Sequence, residues 1–114
     1  MIIYVAGHYR AKTIFGKILN IIKAYITAIR ISNKGFIVFC PHMNTALFDI
    51  FCKHDDEFWL KAGREFLAKC DAIYMMKGWE NSKGSIDENL DATEIHNIPV
   101  YYSIEDIDVL REES

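Results

Sequence analysis

The chain has 114 residues, 51% hydrophobic and 25% charged, which is the composition of one globular domain rather than a disordered tail. Thirteen basic residues against 16 acidic ones give a net charge of −3. Because affinity for a nucleic-acid backbone comes from clustered Lys and Arg, this balance disfavours nucleic acid as a partner.

Four short apolar runs predict buried strands, and the periodic segments between them predict helices. The strands are expected at 2–6, 36–40, 72–76 and 99–102. The helices are expected at 13–32, from the acidic residues 55–57 to about Lys69, at 85–96, and as a final turn after Ser103. Thr13 and Ser103 are the predicted N-caps, and a further short helix is expected at 45–53.

The helix predicted at 13–32 has one polar stripe and is apolar over the rest of its circumference. We expect the stripe to face solvent; it consists of Lys17, Asn20, Lys23, Thr27 and Arg30. The apolar remainder exceeds what one face of a sheet covers. We therefore expect a homodimer or higher homo-oligomer. The alternative is that this helix lies on a membrane surface.

The alternation of strands and helices predicts the fold class. It indicates right-handed crossovers and a three-layer αβα domain over 1–114, flavodoxin-like or Rossmann-like, with a four- to five-stranded parallel sheet. In such sheets the ligand binds beyond the carboxyl ends of the strands, at the switch point of the topology. The loops to inspect are therefore 7–12, 41–44 and 77–84.

The cysteines and histidines do not form a metal-binding pattern. Cys40, Cys52 and Cys70 match no paired zinc spacing, and we expect free, buried or half-buried thiols in a reducing compartment. The histidines at 42, 54 and 96 lie in different segments, so no metal is expected. The first residues lack the positive region of a signal peptide, and no apolar run is long enough to span a membrane. These features predict a cytoplasmic protein without a membrane partner.

The first loop carries groups suited to an anionic or aromatic ligand. Gly7 permits close approach of a ligand, and Tyr9 offers a hydroxyl and a ring face. Arg10 offers a planar cation that fits phosphate or carboxylate. The alternative is a tight turn with a solvated Arg10. The chain contains no glycine-rich phosphate loop, and no cofactor is expected.

The other two loops add polar groups at the same predicted edge of the sheet. His42 and Asn44 can both donate and accept hydrogen bonds, although a lone His is more often structural. Ser82 and Gly84 stand at a predicted helix start, where free N–H groups favour an anion. Glu88 follows one turn later and is either a site carboxylate or an ordinary helix-start acid.

Five segments in a fixed order resemble a known superfamily. They are IYVAGHYR at 3–10, PHMNT at 41–45, FW at 58–59 with KCDA at 69–72, GWENSKG at 78–84 with Glu88, and IPV at 98–100. Together these segments resemble the nucleoside 2-deoxyribosyltransferase superfamily, and most closely its small, often phage-borne branch of uncharacterised DUF4406-like domains.

The resemblance implies a role for several residues. Glu88 would attack the anomeric carbon of a deoxyribonucleoside, and the Tyr9 hydroxyl would orient it. Ser82 and Arg10 would favour a phosphorylated ligand, with Gly7 and Gly84 beside it. Trp59 would either stack on a base or pack within its helix. His42 and Asn44 match the loop of this branch without separate roles.

Two features depart from the superfamily pattern. His8 stands where a proline is usual, and it changes the loop or adds a donor. The acid that protonates the leaving base has no clear match; Asp56 and Asp71 are the nearest candidates, and Asp71 is the better candidate for a cap at the helix–strand junction.

The resemblance and the loops predict an enzyme of nucleoside chemistry. The expected activity is hydrolysis or deoxyribosyl transfer at the N-glycosidic bond of a nucleoside or nucleoside 5′-monophosphate, through a glycosyl-enzyme intermediate. The alternative is a sensor or sequestering protein that binds a nucleotide or nucleotide-sugar without breaking it.

Overall fold

The structure, a computed structural model, describes residues 1–9, 11–41 and 55–113. Its strands are β1 (Ile2–Ala6), β2 (Ile37–Phe39), β3 (Ala72–Met75) and β4 (Val100–Tyr101). Its helices are α1 (Ile14–Ser32), α2 (Asp56–Leu67), α3 (Lys83–Leu90) and α4 (Ile104–Glu113). A 3₁₀ turn (Trp79–Asn81) precedes α3, and a π-helical turn (Asp91–Ile95) follows it. The helix expected at 45–53 lies outside the described residues.

The four strands form one parallel sheet in the order β2-β1-β3-β4. This order confirms the predicted three-layer fold, with four strands in the described part of the chain. The chain leaves β1 for one edge at β2 and then returns past β1 to β3. The switch point therefore lies between β1 and β3, where ligands bind in flavodoxin-like sheets.

Side-chain caps fix where the helices begin. Thr13 Oγ1 accepts from Gly16 N at 3.1 Å, and Ser103 Oγ accepts from Asp106 N at 3.3 Å, so both predicted N-caps are confirmed. Helix α3 begins at Lys83, two residues before the prediction, because Ser82 Oγ accepts from Ser85 N. Regular α-helix ends at Leu90, and the predicted extension to His96 is instead the wider turn.

Alternation along the strands divides the core into two layers. Ile3 and Val5 of β1 pack towards α1 and α4. Tyr4 and Ala6 pack on the opposite face, with Leu67 of α2 and the turn after α3. All four of these β1 side chains are buried. Successive residues of β1 thus alternate between two apolar core layers, one on each face of the sheet.

Helix α1 packs on the sheet through its small residues. Ala24 and Ala28 are buried there, and Asn20 and Thr27 are partly buried beside them. Of the predicted polar stripe, Lys23 and Arg30 are exposed, whereas Asn20 and Thr27 keep only part of their surface in solvent. Small side chains let the helix approach the sheet closely, and the polar neighbours bond to backbone carbonyls: Asn20 donates to Tyr9 O and Thr27 to Lys23 O.

Eight bulky apolar side chains of α1 point away from the sheet, whereas Ile31 is buried against it. We call this surface the α1 outer face, and it comprises Ile14, Phe15, Ile18, Leu19, Ile22, Tyr25, Ile26 and Ile29. Each of them is between 40% and 68% exposed. A surface helix normally turns such residues towards the core, so the polarity of α1 is reversed.

The close packing of α1 predicts a specific sensitivity to side-chain size. Ala24→Leu should lower the free energy of unfolding by about 1–3 kcal/mol, because Ala24 is fully buried against the sheet. Ala68→Leu, at an exposed helix end, is the matched control and should change it by less than about 0.5 kcal/mol. Urea denaturation measures both. Equal effects would contradict the packing of α1 through its small face.

Candidate functional site

The switch point is built from the residues that follow β1 and β3. Met76 N donates to Ala6 O at 2.8 Å, which carries the pairing of the two strands one residue beyond β3. Gly7 comes next and is buried against Met76: a Cβ at Gly7 would lie 2.6 Å from Met76 Sδ. The glycine predicted to admit a ligand is thus required by the close approach of the two strand ends.

A cavity of about 440 Å³ opens at this point on the α1 side of the sheet. Helix α1 forms one wall, and the residues after β1 and β3 form the other. Its polar and charged lining includes His8, Asn20, Lys23, Lys77 and Asn81. The charged lining residues are the two lysines, so the cavity suits an anionic group. His8, predicted from the first loop, lines this cavity.

The third loop turns sharply before α3. Gly78 has φ of +91°, a conformation that favours glycine, and it starts the 3₁₀ turn. Ser82 then caps α3, and its Oγ lies 3.3 Å from Ser85 N. Ser85 Oγ is buried and has no hydrogen-bond partner among the described residues. Ser82 and Gly84 therefore stand at a helix start, as the sequence predicted.

Glu88 turns inward from α3 rather than out to solvent. Its Oε2 accepts a hydrogen bond from the hydroxyl of Tyr4, which is fully buried on β1. Helix α2 passes over the same hydroxyl, and a Cβ at Gly63 would lie 3.4 Å from Tyr4 Oη. Within the described part of the chain, the second oxygen of Glu88 makes no hydrogen bond. The carboxyl group therefore has one anchored oxygen and one open oxygen.

Burial and neighbouring charge set the protonation of this pair. Burial raises the pKa of Glu88 to about 7, the charges of Asp91 and Asp87 raise it too, and the hydrogen bond from Tyr4 opposes the rise. Burial also raises the pKa of Tyr4 well above its ordinary value, and the charge of Glu88 adds to this. Tyr4 accordingly remains a protonated donor, whereas Glu88 titrates near neutrality.

A second carboxylate lies one turn beyond Glu88 and is paired. Asp91 is buried at the start of the π-helical turn, and its Oδ2 accepts from Arg64 Nε of α2 at 2.8 Å. This contact places a cation beside the only other buried acid among the described residues. It also ties α2 to the end of α3, so the two helices that flank Tyr4 are held together.

The structure brings some of the predicted residues together. Glu88, Ser82 and Gly84 share α3 and its cap, and Gly7 and His8 lie at the end of β1. Tyr9 O accepts from Asn20, and the Lys17 ammonium lies 5.9 Å from the Tyr9 ring centroid. The hydroxyl that holds Glu88 is that of Tyr4; orientation of Glu88 by Tyr9 stays a prediction.

Other predicted residues are outside the described part or at the opposite edge. Arg10, His42, Asn44 and the side chain of Trp59 lie outside it, as does the side chain of Asp56. Asp71 Oδ2 accepts from Ile2 N at 2.7 Å, at the amino ends of the strands. This bond ties Asp71 to the start of β1, away from the edge where the cavity opens, and its role as a cap of the helix–strand junction stays a prediction.

Sequence reasoning missed three residues around Glu88. Tyr4 had a usable signal, because a tyrosine inside a buried aliphatic strand needs a partner for its hydroxyl. No sequence signal marked Arg64 and Asp91 as a pair, because they are 27 positions apart and each resembles an ordinary charged residue on a helix surface.

Thiol and metal chemistry find little support in the described residues. Cys40 and Cys70 are buried free thiols, and burial raises the pKa of Cys70 to about 11, so this thiol stays protonated at neutral pH. No group of three His, Cys, Asp or Glu residues in the described ranges is placed to hold a metal ion. No helix within the same ranges is long and apolar enough to cross a membrane.

The fold and the site define a three-layer α/β protein with a cavity at the switch point on the α1 side of the sheet and a tyrosine–glutamate pair on the opposite face. A family model described as "Domain of unknown function (DUF4406)" matches residues 1–102, and the chain belongs to this family. The match confirms the DUF4406-like domain expected from the motifs, whereas the resemblance to the nucleoside 2-deoxyribosyltransferase superfamily stays a prediction. No curated protein and no solved structure matches the chain.

The raised pKa of Glu88 predicts that stability falls as pH rises. Folded Glu88 keeps its proton up to about pH 7, whereas the unfolded side chain loses it near 4.5. Between pH 4.5 and about 7 the folded state binds more protons than the unfolded state. The free energy of unfolding therefore falls by about 3 kcal/mol as the pH rises through this range. Denaturation from pH 4 to 8 measures this.

The control for this experiment is a second glutamate substitution. Glu88→Gln should remove the decline across the pH 4.5–7 window, whereas Glu65→Gln, at an exposed position of α2, should follow the wild-type curve. A wild-type curve that rises over this window, or a Glu88→Gln curve that parallels it, would contradict the burial of Glu88.

Proposed function

We propose that this protein cleaves or transfers the N-glycosidic bond of deoxynucleosides or nucleoside 5′-monophosphates, with Glu88 as the nucleophile. The observation that carries the proposal is a carboxyl group turned inward from α3, held on one oxygen by buried Tyr4 and open on the other. The spacing of Ser82, Gly84 and Glu88, which resembles the nucleoside 2-deoxyribosyltransferase pattern, adds support.

The reaction proceeds in two displacements at the anomeric carbon. The open oxygen of ionised Glu88 forms a bond to C1′ while the C1′–N bond breaks, and the electron pair of that bond leaves with the base, which takes up a proton from solvent. Water, or the nitrogen of a second base, then attacks C1′, gives up its own proton to solvent and releases the carboxylate. Both transition states carry positive charge on the sugar, and the adjacent carboxylate stabilises that charge.

Tyr4 favours the reactive form of the carboxyl group. Its hydrogen bond to Oε2 stabilises the ionised state, which lowers the pKa of Glu88 against the effect of burial. It also fixes the position of one carboxyl oxygen of Glu88. Tyr4 thus acts as a positioning residue, because it reaches the substrate only through Glu88.

A phosphorylated substrate is favoured by the charges around the switch point. Lys23, Lys77 and His8 line the cavity, and the capped start of α3 offers further N–H groups. Arg10 follows directly after this cavity wall in the sequence. A nucleoside 5′-monophosphate carries the complementary charge, and we therefore place it ahead of the free nucleoside.

One observation favours a second candidate, a protein that binds nucleotides without cleaving them. Burial raises the pKa of Glu88 to about 7, so a large fraction of the carboxyl group is neutral at that pH. A neutral carboxyl group is a poor nucleophile but a good hydrogen-bond donor to a ribose hydroxyl or a base.

Release of free base separates the two candidates. The protein is incubated with the four common deoxynucleoside 5′-monophosphates and with the corresponding nucleosides, and base is followed by chromatography. We expect release that Glu88→Ala lowers by roughly 10³-fold or more, whereas Glu94→Ala, an exposed acid of the following turn, retains the wild-type rate. Thermal stabilisation by nucleotides without any base release would overturn the enzyme proposal in favour of binding.

The pH dependence of the rate tests the part played by Tyr4. We expect kcat/KM to rise with pH through about 7 as Glu88 ionises, and Tyr4→Phe to move that rise to higher pH because the stabilising hydrogen bond is lost. Tyr74→Phe, at a buried tyrosine on the opposite face of the sheet, is the control and should leave the profile in place. An unmoved profile in Tyr4→Phe would contradict the positioning role.

A further inference from the structure

The α1 outer face is the largest apolar feature that the fold leaves uncovered among the described residues. Ala24, Ala28 and Ile31 already provide the contact of α1 with the sheet, so the outer face is not needed for that layer. The exposed fractions of its eight residues, multiplied by ordinary residue surface areas, correspond to an exposed area of roughly 800 Å². The largest apolar patch on a typical monomer is about 300–600 Å².

The exposed area of the α1 outer face is the area that one partner contributes to a standard protein–protein interface. Each partner of a standard stable protein interface buries about 800 Å², mostly through side chains like those of the α1 outer face. The spacing fits a helix as the opposing element. Phe15, Ile18, Ile22, Tyr25 and Ile29 follow one another at intervals of three and four residues, the pattern that a second helix packs against.

The order of these residues is also symmetric about Ile22. When two copies of α1 are laid antiparallel with Ile22 at the centre, apolar residues meet along the seam: Phe15 opposite Ile29, Ile18 opposite Ile26, and Leu19 opposite Tyr25. A face that is its own complement after a two-fold rotation suits an isologous dimer.

From this area, spacing and symmetry we infer that a second copy of the chain packs on the α1 outer face, with the two helices antiparallel and crossing near Ile22. The inference names the surface of the expected homodimer and does not depend on the proposed enzymatic function. Leu19 belongs both to this face and to the wall of the switch-point cavity. The partner copy therefore borders the cavity.

The charges favour a protein partner over a lipid surface. The chain carries a net charge of −3, which repels anionic headgroups. Lys23 and Arg30 are exposed on α1, and each contributes only about 1 kcal/mol near an anionic membrane. In the antiparallel arrangement the two copies of Arg30 lie at opposite ends of the seam, and the helix dipoles oppose each other favourably.

The molecular mass in solution tests the inference. Sedimentation equilibrium on the full chain from about 1 to 100 μM should give twice the chain mass at the upper end. Ile22→Glu should raise the dimer dissociation constant by about 100-fold or more, because two like charges would meet at the centre of the seam. Ile95→Glu replaces a more exposed isoleucine outside α1, and it should leave the dimer intact.

Circular dichroism of each variant establishes that the fold is retained. A wild-type monomer throughout the range overturns the inference, as does a dimer that Ile22→Glu does not weaken. Co-sedimentation of a monomeric wild type with vesicles of anionic phospholipid assigns the face to a membrane and also overturns it. As a second measurement, Ile22→Cys should give an interchain disulfide under mild oxidation, and Ile95→Cys should not.

Discussion

The hydrogen bond from Tyr4 to Glu88 links the central strand of the sheet to the helix that carries the candidate nucleophile. This bond forms only if the side chain of Tyr4 points to the face of β1 that α3 covers. It therefore depends both on the alternation of side chains along β1 and on the topology that places α3 on that face. Arg64 and Asp91 hold α2 and the end of α3 together around this bond. The Tyr4 face of the sheet, with α2 and the end of α3 packed on it, thus holds one carboxyl group in a desolvated position.

This arrangement explains why burial and reactivity oppose each other at Glu88. Desolvation favours the neutral acid, whereas the proposed displacement at C1′ needs the anion. The hydrogen bond from Tyr4 lowers the pKa of Glu88 and so opposes the effect of desolvation, and the resulting pKa is about 7. The cavity on the other face of the sheet is lined by Lys23 and Lys77, and in the proposed function these lysines anchor the anionic group of the substrate.

Local signals determined how far the sequence could be interpreted. The strands at β1 and β3 and the caps at Thr13 and Ser103 were predictable because each depends on neighbouring residues alone. The face of α1 that packs on the sheet was not predictable, because a helix that is apolar over most of its circumference has no single apolar face. The structure packs α1 through a face that contains the small residues Ala24 and Ala28. The partner of Tyr4 lies 84 residues away, and no local pattern marks it.

Gly63 has a consequence for any effort to make this protein more robust. A glycine in the middle of α2 is a natural first choice for replacement by alanine, since helix propensity improves by up to about 1 kcal/mol. The added methyl group would lie 3.4 Å from the phenol oxygen of the buried Tyr4, which is an ordinary van der Waals contact. A thermostability screen that selects this exchange would therefore add packing directly over the hydroxyl that holds Glu88 without forcing Tyr4 to move.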